Sequence, residues 1–120
     1  MDERKLGVVE ARFADLIWQN EPISSGALVR LCEGKLGWKK STTYTVLKKL
    51  CERGIFRNER GEVTALISRD EFYALQSQRF VEESFDGSLP AFIAAFSSRK
   101  ALTAQEIAEI RRMIDGMEGS

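Results

Sequence analysis

One predicted helix, from near Ser41 to Gly54, carries side chains suited to DNA contact. Lysine can reach guanine acceptors or phosphates, and threonine offers a hydroxyl or a methyl group to base edges in the major groove. Because the first residues of a recognition helix lie deepest in the groove, we expect them to contact bases. These candidate base contacts are Ser41, Thr42, Tyr44 and Thr45. The candidate phosphate contacts are Lys40, Lys48 and Lys49.

The charge of the chain is locally concentrated, although 18 basic and 18 acidic residues give a formal net charge of zero. Residues 35–60 contain eight basic and two acidic side chains, whereas residues 71–120 contain five basic and eight acidic ones. Phosphate binding depends on local basic density, because each neutralised phosphate releases condensed counterions. The basic stretch therefore indicates nucleic acid as a partner.

The composition argues against catalysis and against a metal site. The chain has no histidine, so the usual general base near neutral pH is missing. Cys32 and Cys51 form no CxxC pair, and we interpret them as small core residues. We expect no enzymatic activity, no cofactor and no metal. The charged first residues, and the lack of an apolar run of roughly 20 residues, predict a cytoplasmic protein.

Two further helices are predicted before the candidate recognition helix. The first ends near Asn20, because Pro22 prevents its continuation. The second is capped by Ser24 or Ser25, and its end is bracketed by Gly34 and Gly37. Apolar residues at helical spacing predict a core for these helices. Its members are Phe13, Leu16, Leu28, Leu31, Leu47 and Leu50.

A hairpin is predicted after the third helix. Two β-prone runs between Ile55 and Ile67 flank a polar stretch that contains Gly61, and Arg57 and Arg60 are its candidate DNA contacts. Three helices followed by a basic hairpin are the order of a winged helix. The predicted fold class is therefore mainly α with a small β-hairpin, with a winged helix-turn-helix DNA-binding domain over residues 1–70.

Residues 71–120 are predicted to form a helical dimerisation region. The segment carries many large apolar side chains, yet it is too short to bury them alone. A homodimer is the simplest solution, since it uses the same patch twice. The candidate interface residues are Phe80, Phe85, Phe92, Phe96, Ile107, Ile110 and Ile114.

The chain resembles the penicillinase-repressor family of transcription factors over nearly its whole length. The most specific match is Trp38-x-x-x-Thr42-x-x-Thr45-x-Leu47-x-Lys49-Leu50-x-x-x-Gly54. Further matches are Glu10 to Trp18, Phe80 to Phe96, and Leu102-Thr103-x-x-Glu106-Ile107. The resemblance implies a dimeric repressor that binds dyad operators and leaves DNA when a partner membrane sensor-protease is activated. Ala95-Phe96 aligns with the asparagine–phenylalanine bond that family members have cut during induction.

The predicted function is transcriptional repression by a homodimer on a palindromic operator, with recognition helices about one turn of DNA, roughly 34 Å, apart. An alternative is a winged helix that binds protein and has no DNA role, which the zero net charge favours. Two structural alternatives also stay open. Ser41 and the lysines could serve only for capping and solubility, and the last helix could be a peripheral brace.

Overall fold

Three helices form the first part of the chain, as the sequence predicts. In the computed structural model, which describes residues 6–118, α1 spans Val8–Asn20, α2 spans Ser25–Leu36 and α3 spans Lys40–Glu52. The apolar sides of the three helices face one another, and their bounds fall within two residues of the predicted ones. The predicted recognition helix is therefore confirmed as a helix.

The limits of α2 follow from its capping residues. Ser24, rather than Ser25, is the N-cap, and its hydroxyl accepts the Ala27 amide at 3.1 Å. Gly37 ends the helix in the left-handed region at φ 67°, where a side chain would be strained. The short connection to α3 that this turn permits places α2 and α3 as the two helices of a helix-turn-helix.

The predicted hairpin is confirmed and is joined by a third strand. Strands β2 (Phe56–Glu59) and β3 (Glu62–Ala65) pair antiparallel, and β1 (Ile23–Ser24) pairs with the other edge of β3. The hairpin turn consists of Arg60 and Gly61, with φ values of 53° and 80°. Positive φ at both central residues matches the twist of the two strands. Sequence reasoning missed β1, because two residues show no alternation.

The core of this part lies between the helices and the sheet. It combines predicted members with residues of the strands and of the following helix. Leu16 and Leu31 are only half-buried. The largest fully buried side chains are Phe13, Ile17, Leu28, Leu47, Leu50, Ile55, Phe56, Val63 and Phe72. The hairpin is thus anchored in the core by one side chain from each of its strands.

The chain divides into two compact units after Gln76. Helix α4 (Arg69–Phe85) begins in the first unit and continues into the second, which also contains α5 (Leu89–Arg99) and α6 (Ala104–Glu118). The predicted domain boundary at residue 70 coincides with the start of α4 and stays a prediction. Within residues 6–118, no helix combines the length and the hydropathy that crossing a bilayer requires. A mostly helical chain with a small antiparallel sheet confirms the predicted fold class.

Candidate nucleic-acid interface

The predicted DNA-contacting residues of α3 lie mostly on one exposed face. Thr43, Leu47 and Leu50 face the core and fix the rotation of the helix. The residues left exposed by that rotation are Lys40, Ser41, Thr42, Thr45, Lys48 and Lys49. From residue 40 to residue 51 the sequence contains no acidic side chain. We call this exposed surface the α3 face.

Thr43 interrupts the run of exposed hydroxyls. Its side chain is fully buried, and its Oγ1 donates to the Lys39 carbonyl at 3.3 Å. Buried hydroxyls need such a partner, since an unpaired one costs free energy. Sequence reasoning passed over this residue, although its i, i+4, i+7 spacing with Leu47 and Leu50 is the signal that could have found it.

Cys32 and Cys51 are structural residues and not reactive ones. Burial raises the pKa of the Cys32 thiol and that of the Cys51 thiol. Both side chains therefore stay protonated near neutral pH, and a thiol is a poor nucleophile and metal ligand. Among residues 6–118, no three acidic or cysteine side chains come together as a metal site would require.

Tyr44 lies at the junction of α3, α2 and the hairpin turn. It is half-buried, and its phenol donates to the Ser25 hydroxyl at 3.3 Å. The Ser25 amide in turn donates to the Gly61 carbonyl at 2.8 Å. This chain of contacts fixes the hairpin turn against the start of α2 and the side of α3. Tyr44, predicted to contact bases, is thus the one member of the predicted set on α3 that is half-buried and not exposed.

Lys49 is paired with an acid within the protein. Its Nζ lies 3.5 Å from Glu10 Oε2, and Arg53 Nη1 lies 3.4 Å from Glu10 Oε1. The Gly7 amide donates to the same carboxylate at 3.1 Å. The Gly7 amide, then the two cations, hold the pKa of Glu10 below its usual value. Lys48, one residue earlier, is exposed on the same helix.

The hairpin brings its two predicted arginines to the surface, together with acids. Arg57 and Arg60 are exposed, and Arg57 Nε lies 3.5 Å from Glu59 Oε2. Glu62 is also exposed, one residue after the turn. The charges of the hairpin therefore balance, whereas α3 carries three exposed lysines and no acidic side chain before Glu52.

In the second unit, the predicted interface residues form an open aromatic cluster. Phe92 is its centre, with ring centroids 5.9 Å from Phe80, 5.7 Å from Phe85 and 6.2 Å from Phe96. Phe80 and Phe96 are still 50% and 48% exposed. A groove of about 460 Å³ opens beside Phe80 and Phe92. The three predicted isoleucines lie on α6, with Ile107 and Ile110 half-buried and Ile114 exposed.

A comparison with protein families shows to which family the chain belongs. Residues 6–116 match the family model described as penicillinase repressor. The chain belongs to the penicillinase repressor family. It is similar to the penicillinase repressor of Bacillus licheniformis, with 21% identity over 110 residues that cover 88% of this chain and 86% of that protein. The family is one of transcriptional repressors, not of enzymes, and the helix-turn-helix described above is the DNA-binding element expected of such a protein.

The predicted cleavage site, Ala95-Phe96, lies inside a helix. Both residues are exposed and lie inside α5, about one turn before its end at Arg99. The Phe96 carbonyl accepts the Lys100 amide at 3.3 Å, so the bond lies within the hydrogen-bonded part of the helix. A protease needs an extended substrate, and this bond is therefore accessible only after α5 has unwound locally.

Proposed function

We propose that this penicillinase repressor family member represses transcription by binding a palindromic operator as a homodimer. The observation that carries the proposal is the α3 face, where exposed hydroxyls and amines lie together without an acidic side chain before Glu52. An ordinary solvated helix face would mix glutamate with lysine. Helix α3, as the second helix of a helix-turn-helix, is the element that enters the major groove.

The residues of the α3 face divide into two roles in this proposal. Ser41, Thr42 and Thr45 lie in the first two turns and contact base edges. Lys40 and Lys48 neutralise phosphates. Tyr44 supports the interface, because its phenol is engaged by Ser25 and holds the hairpin against α3.

Lys49 and the hairpin arginines contribute less to phosphate binding. Glu10 already balances part of the Lys49 charge, and Glu59 does the same for Arg57. A charge that must leave an intramolecular partner to meet a phosphate gains less free energy from the exchange. Arg60, at the hairpin turn, is the wing residue that we expect to reach the backbone.

The second unit supplies the dimer in this proposal. Between Ser77 and Glu118, the part of it that the structure describes, no side chain is fully buried. Large apolar side chains are rarely left exposed in contiguous patches on a monomer. The exposed ones here are Phe80, Leu89, Phe96, Met113, Ile114 and Met117. A second copy of the chain covers them.

In this proposal, release from DNA requires the loss of that dimer. A cut at Ala95-Phe96 by a membrane sensor-protease would separate α6 and the last turn of α5 from the other helices of the second unit. The dimer gains affinity because binding of one half holds the other at high effective concentration. Loss of the dimer therefore empties the operator, although each first unit keeps its own core.

Salt dependence tests the DNA-binding role. We expect the affinity for random duplex DNA to fall steeply with salt, and Lys48→Ala to flatten the slope of log affinity against log salt by about one unit. Lys49→Ala should flatten it by less than about one unit, because Glu10 offsets its charge. Fluorescence anisotropy at four or five salt concentrations measures both slopes.

The matched control is Lys100→Ala, which removes the same charge from an exposed position in the second unit. Its slope should equal that of the wild type. A wild type that binds duplex DNA without salt dependence would contradict the proposal and favour a protein-binding winged helix. Equal slopes for Lys48→Ala and the wild type would remove the α3 face from the interface.

A further inference from the structure

The edge of β3 that faces away from β2 is closed by the segment between α1 and α2. Strand β1 pairs with this edge and reaches as far as Val63. Two residues further along β3, the Ala65 amide donates to Glu21 Oε1 at 2.8 Å, so a carboxylate takes the place of a strand carbonyl. Glu21 is the C-cap of α1, and the base of the hairpin is therefore attached to the end of that helix.

At the other end of the hairpin, Ser25 attaches the turn. Its amide donates to the Gly61 carbonyl at 2.8 Å, and its hydroxyl accepts the Tyr44 phenol at 3.3 Å. A Cβ atom on Gly61 would lie 3.7 Å from Ser25 Oγ, in ordinary van der Waals contact, so the turn passes directly beside this serine. Ser25 thus connects the hairpin turn to α3 through two hydrogen bonds.

These attachments fix the residue of the hairpin that we expect to meet a DNA phosphate. Arg60 is the first central residue of the turn, next to Gly61, and its side chain is exposed. Phe56 and Val63 anchor the strands in the core, whereas Ser25 holds the turn itself. A two-stranded hairpin is only marginally stable in water without further support. The place of Arg60 relative to α3 therefore depends on the contacts along this edge.

We propose that Glu21, Ser25 and Tyr44 are positioning residues for DNA binding. By holding the hairpin turn beside α3, they place Arg60 against a phosphate at a fixed distance from the bases that α3 reads. The inference rests on the proposed function, and it concerns the first unit alone. A side chain that is placed beforehand contributes more to affinity, because less conformational entropy is lost on binding. Glu21 carries the charge that a phosphate repels, so its effect on binding is exerted through the hairpin.

The contribution of Arg60 to the salt dependence of DNA binding tests this inference. Arg60→Asn removes the charge and keeps a residue type that accepts the φ of 53° at this position. In the otherwise wild-type full chain, it should flatten the slope of log affinity against log salt by about one unit, as expected for one phosphate. Fluorescence anisotropy on random duplex DNA at four or five salt concentrations measures the slope.

Two substitutions release the turn to different degrees. Ser25→Pro removes the amide donor and the hydroxyl, and proline suits the first position of α2 because Ser24 before it is extended at φ −69° and ψ 148°. Tyr44→Phe removes the phenol hydroxyl and leaves the Ser25 amide in place. Arg60→Asn should then flatten the slope by less than about half a unit in the Ser25→Pro chain, and by an intermediate amount in the Tyr44→Phe chain.

A pair of substitutions at Glu21 separates positioning from charge. Glu21→Gln keeps a side-chain oxygen that can accept the Ala65 amide, whereas Glu21→Ala leaves this amide without its acceptor. Both remove the same negative charge. Arg60→Asn should flatten the slope by about one unit in the Glu21→Gln chain and by less in the Glu21→Ala chain. Val29→Ala, which removes buried apolar atoms from α2 and none of these hydrogen bonds, is the matched control and should keep the full effect of Arg60→Asn.

The outcomes separate the inference from the function on which it rests. If Arg60→Asn flattens the slope equally in all of these chains, the contacts only stabilise the fold and the inference is overturned. It is also overturned if Arg60→Asn leaves the wild-type slope unchanged, because the hairpin turn then meets no phosphate. In both cases the DNA-binding role still stands on the slope of Lys48→Ala.

Circular dichroism of every variant shows whether it is folded. If Ser25→Pro unfolds the chain, Tyr44→Phe and the two Glu21 variants decide the inference by the same criterion. If the wild type binds duplex DNA without salt dependence, the proposed function is contradicted, and the inference falls with it.

Discussion

At the residue scale, the start of α3 shows how helix geometry gives neighbouring residues of one type different roles. Thr42 is exposed, Thr43 is fully buried, and Thr45 is exposed again. Each residue is rotated by about 100° from the one before, so identical hydroxyls alternate between core and surface. Residue type alone therefore does not identify a base contact.

Thr45 provides a test of base reading. Its Oγ1 donates to the Ser41 carbonyl at 2.9 Å, so the oxygen can still accept a hydrogen bond and the methyl group can still contact a thymine. We expect Thr45→Ala to lower the discrimination between matched and scrambled duplexes by roughly 1–3 kcal/mol. Competition binding, on a site selected from a random pool of duplexes with the wild-type chain, measures this difference.

Two conservative substitutions identify the contact. Thr45→Val keeps a methyl group and loses the hydroxyl, whereas Thr45→Ser keeps the hydroxyl and loses the methyl. One of the two should retain the wild-type discrimination, and its identity tells whether Thr45 reads by hydrogen bonding or by apolar contact. If Thr45→Ala weakens matched and scrambled duplexes equally, Thr45 does not read sequence.

At the scale of elements, Glu10 joins α1 to α3. Its side chain is only 20% exposed, and the carboxylate accepts the Gly7 amide and pairs with the cations of Lys49 and Arg53. Because the pKa of Glu10 is lower in the folded chain than its usual 4.5, the ionised form stabilises the fold. That contribution is complete above pH 4.5 and disappears as the pH falls through the lowered pKa.

Replacing Glu10 tests this coupling between helices. We expect Glu10→Gln to reduce the free energy of unfolding at pH 7 by less than about 1 kcal/mol, as for other partly exposed ion pairs. The difference from the wild type should shrink below pH 4.5, because the wild-type carboxylate then also becomes neutral. Urea unfolding at pH 7 and at pH 3, followed by the fluorescence of Trp18 and Trp38, measures this difference in the free energy of unfolding.

Glu33→Gln is the control, since Glu33 is an exposed carboxylate on α2. It should change the free energy of unfolding at pH 7 by less than Glu10→Gln does. A constant difference between Glu10→Gln and the wild type from pH 7 to pH 3 would show that the carboxylate acts through packing and not through its charge.

At the scale of the whole molecule, the proposed function makes dimerisation and DNA release depend on the same apolar surface. We expect the full chain to be a dimer at micromolar concentration, with an interface of about 1,600 Å² or more. A chain ending at Ala94 lacks α6 and the last turn of α5. It should be monomeric and lose roughly 10²–10⁴-fold in operator affinity, because the second head is no longer held near its half-site.

Mass in solution, operator binding and circular dichroism decide this prediction together. A chain ending at Ala101 is the matched comparison, because it keeps α5 complete and lacks only α6. If the chain ending at Ala94 remains dimeric and binds as tightly as the full chain, release by cleavage at Ala95-Phe96 is contradicted. If only the chain ending at Ala101 remains dimeric, the end of α5, and not α6, holds the dimer.

The sequence by itself determined the elements whose causes are local. A serine or threonine hydroxyl at a helix start satisfies an amide three residues away, so the start of α2 could be predicted at Ser24 or Ser25 without a fold, although only the structure shows that Ser24 is the cap. The same applies to the hairpin, whose turn needs residues that accept positive φ. The α3 face also followed from periodicity, because packing Leu47 and Leu50 inward leaves the lysines outside.

Tertiary structure decided the contacts between residues that are distant in sequence. The pairing of Trp18 with Ile67 spans 49 residues, and that of Tyr44 with Ser25 spans 19. Glu10 meets Arg53 across 43 residues. Periodicity shows which side of a helix faces the core, but not which residue of another element lies opposite. Strand β1, the support role of Tyr44 and the contacts of α1 with the start of α4 all depend on such pairings, which only the packing of complete elements brings together.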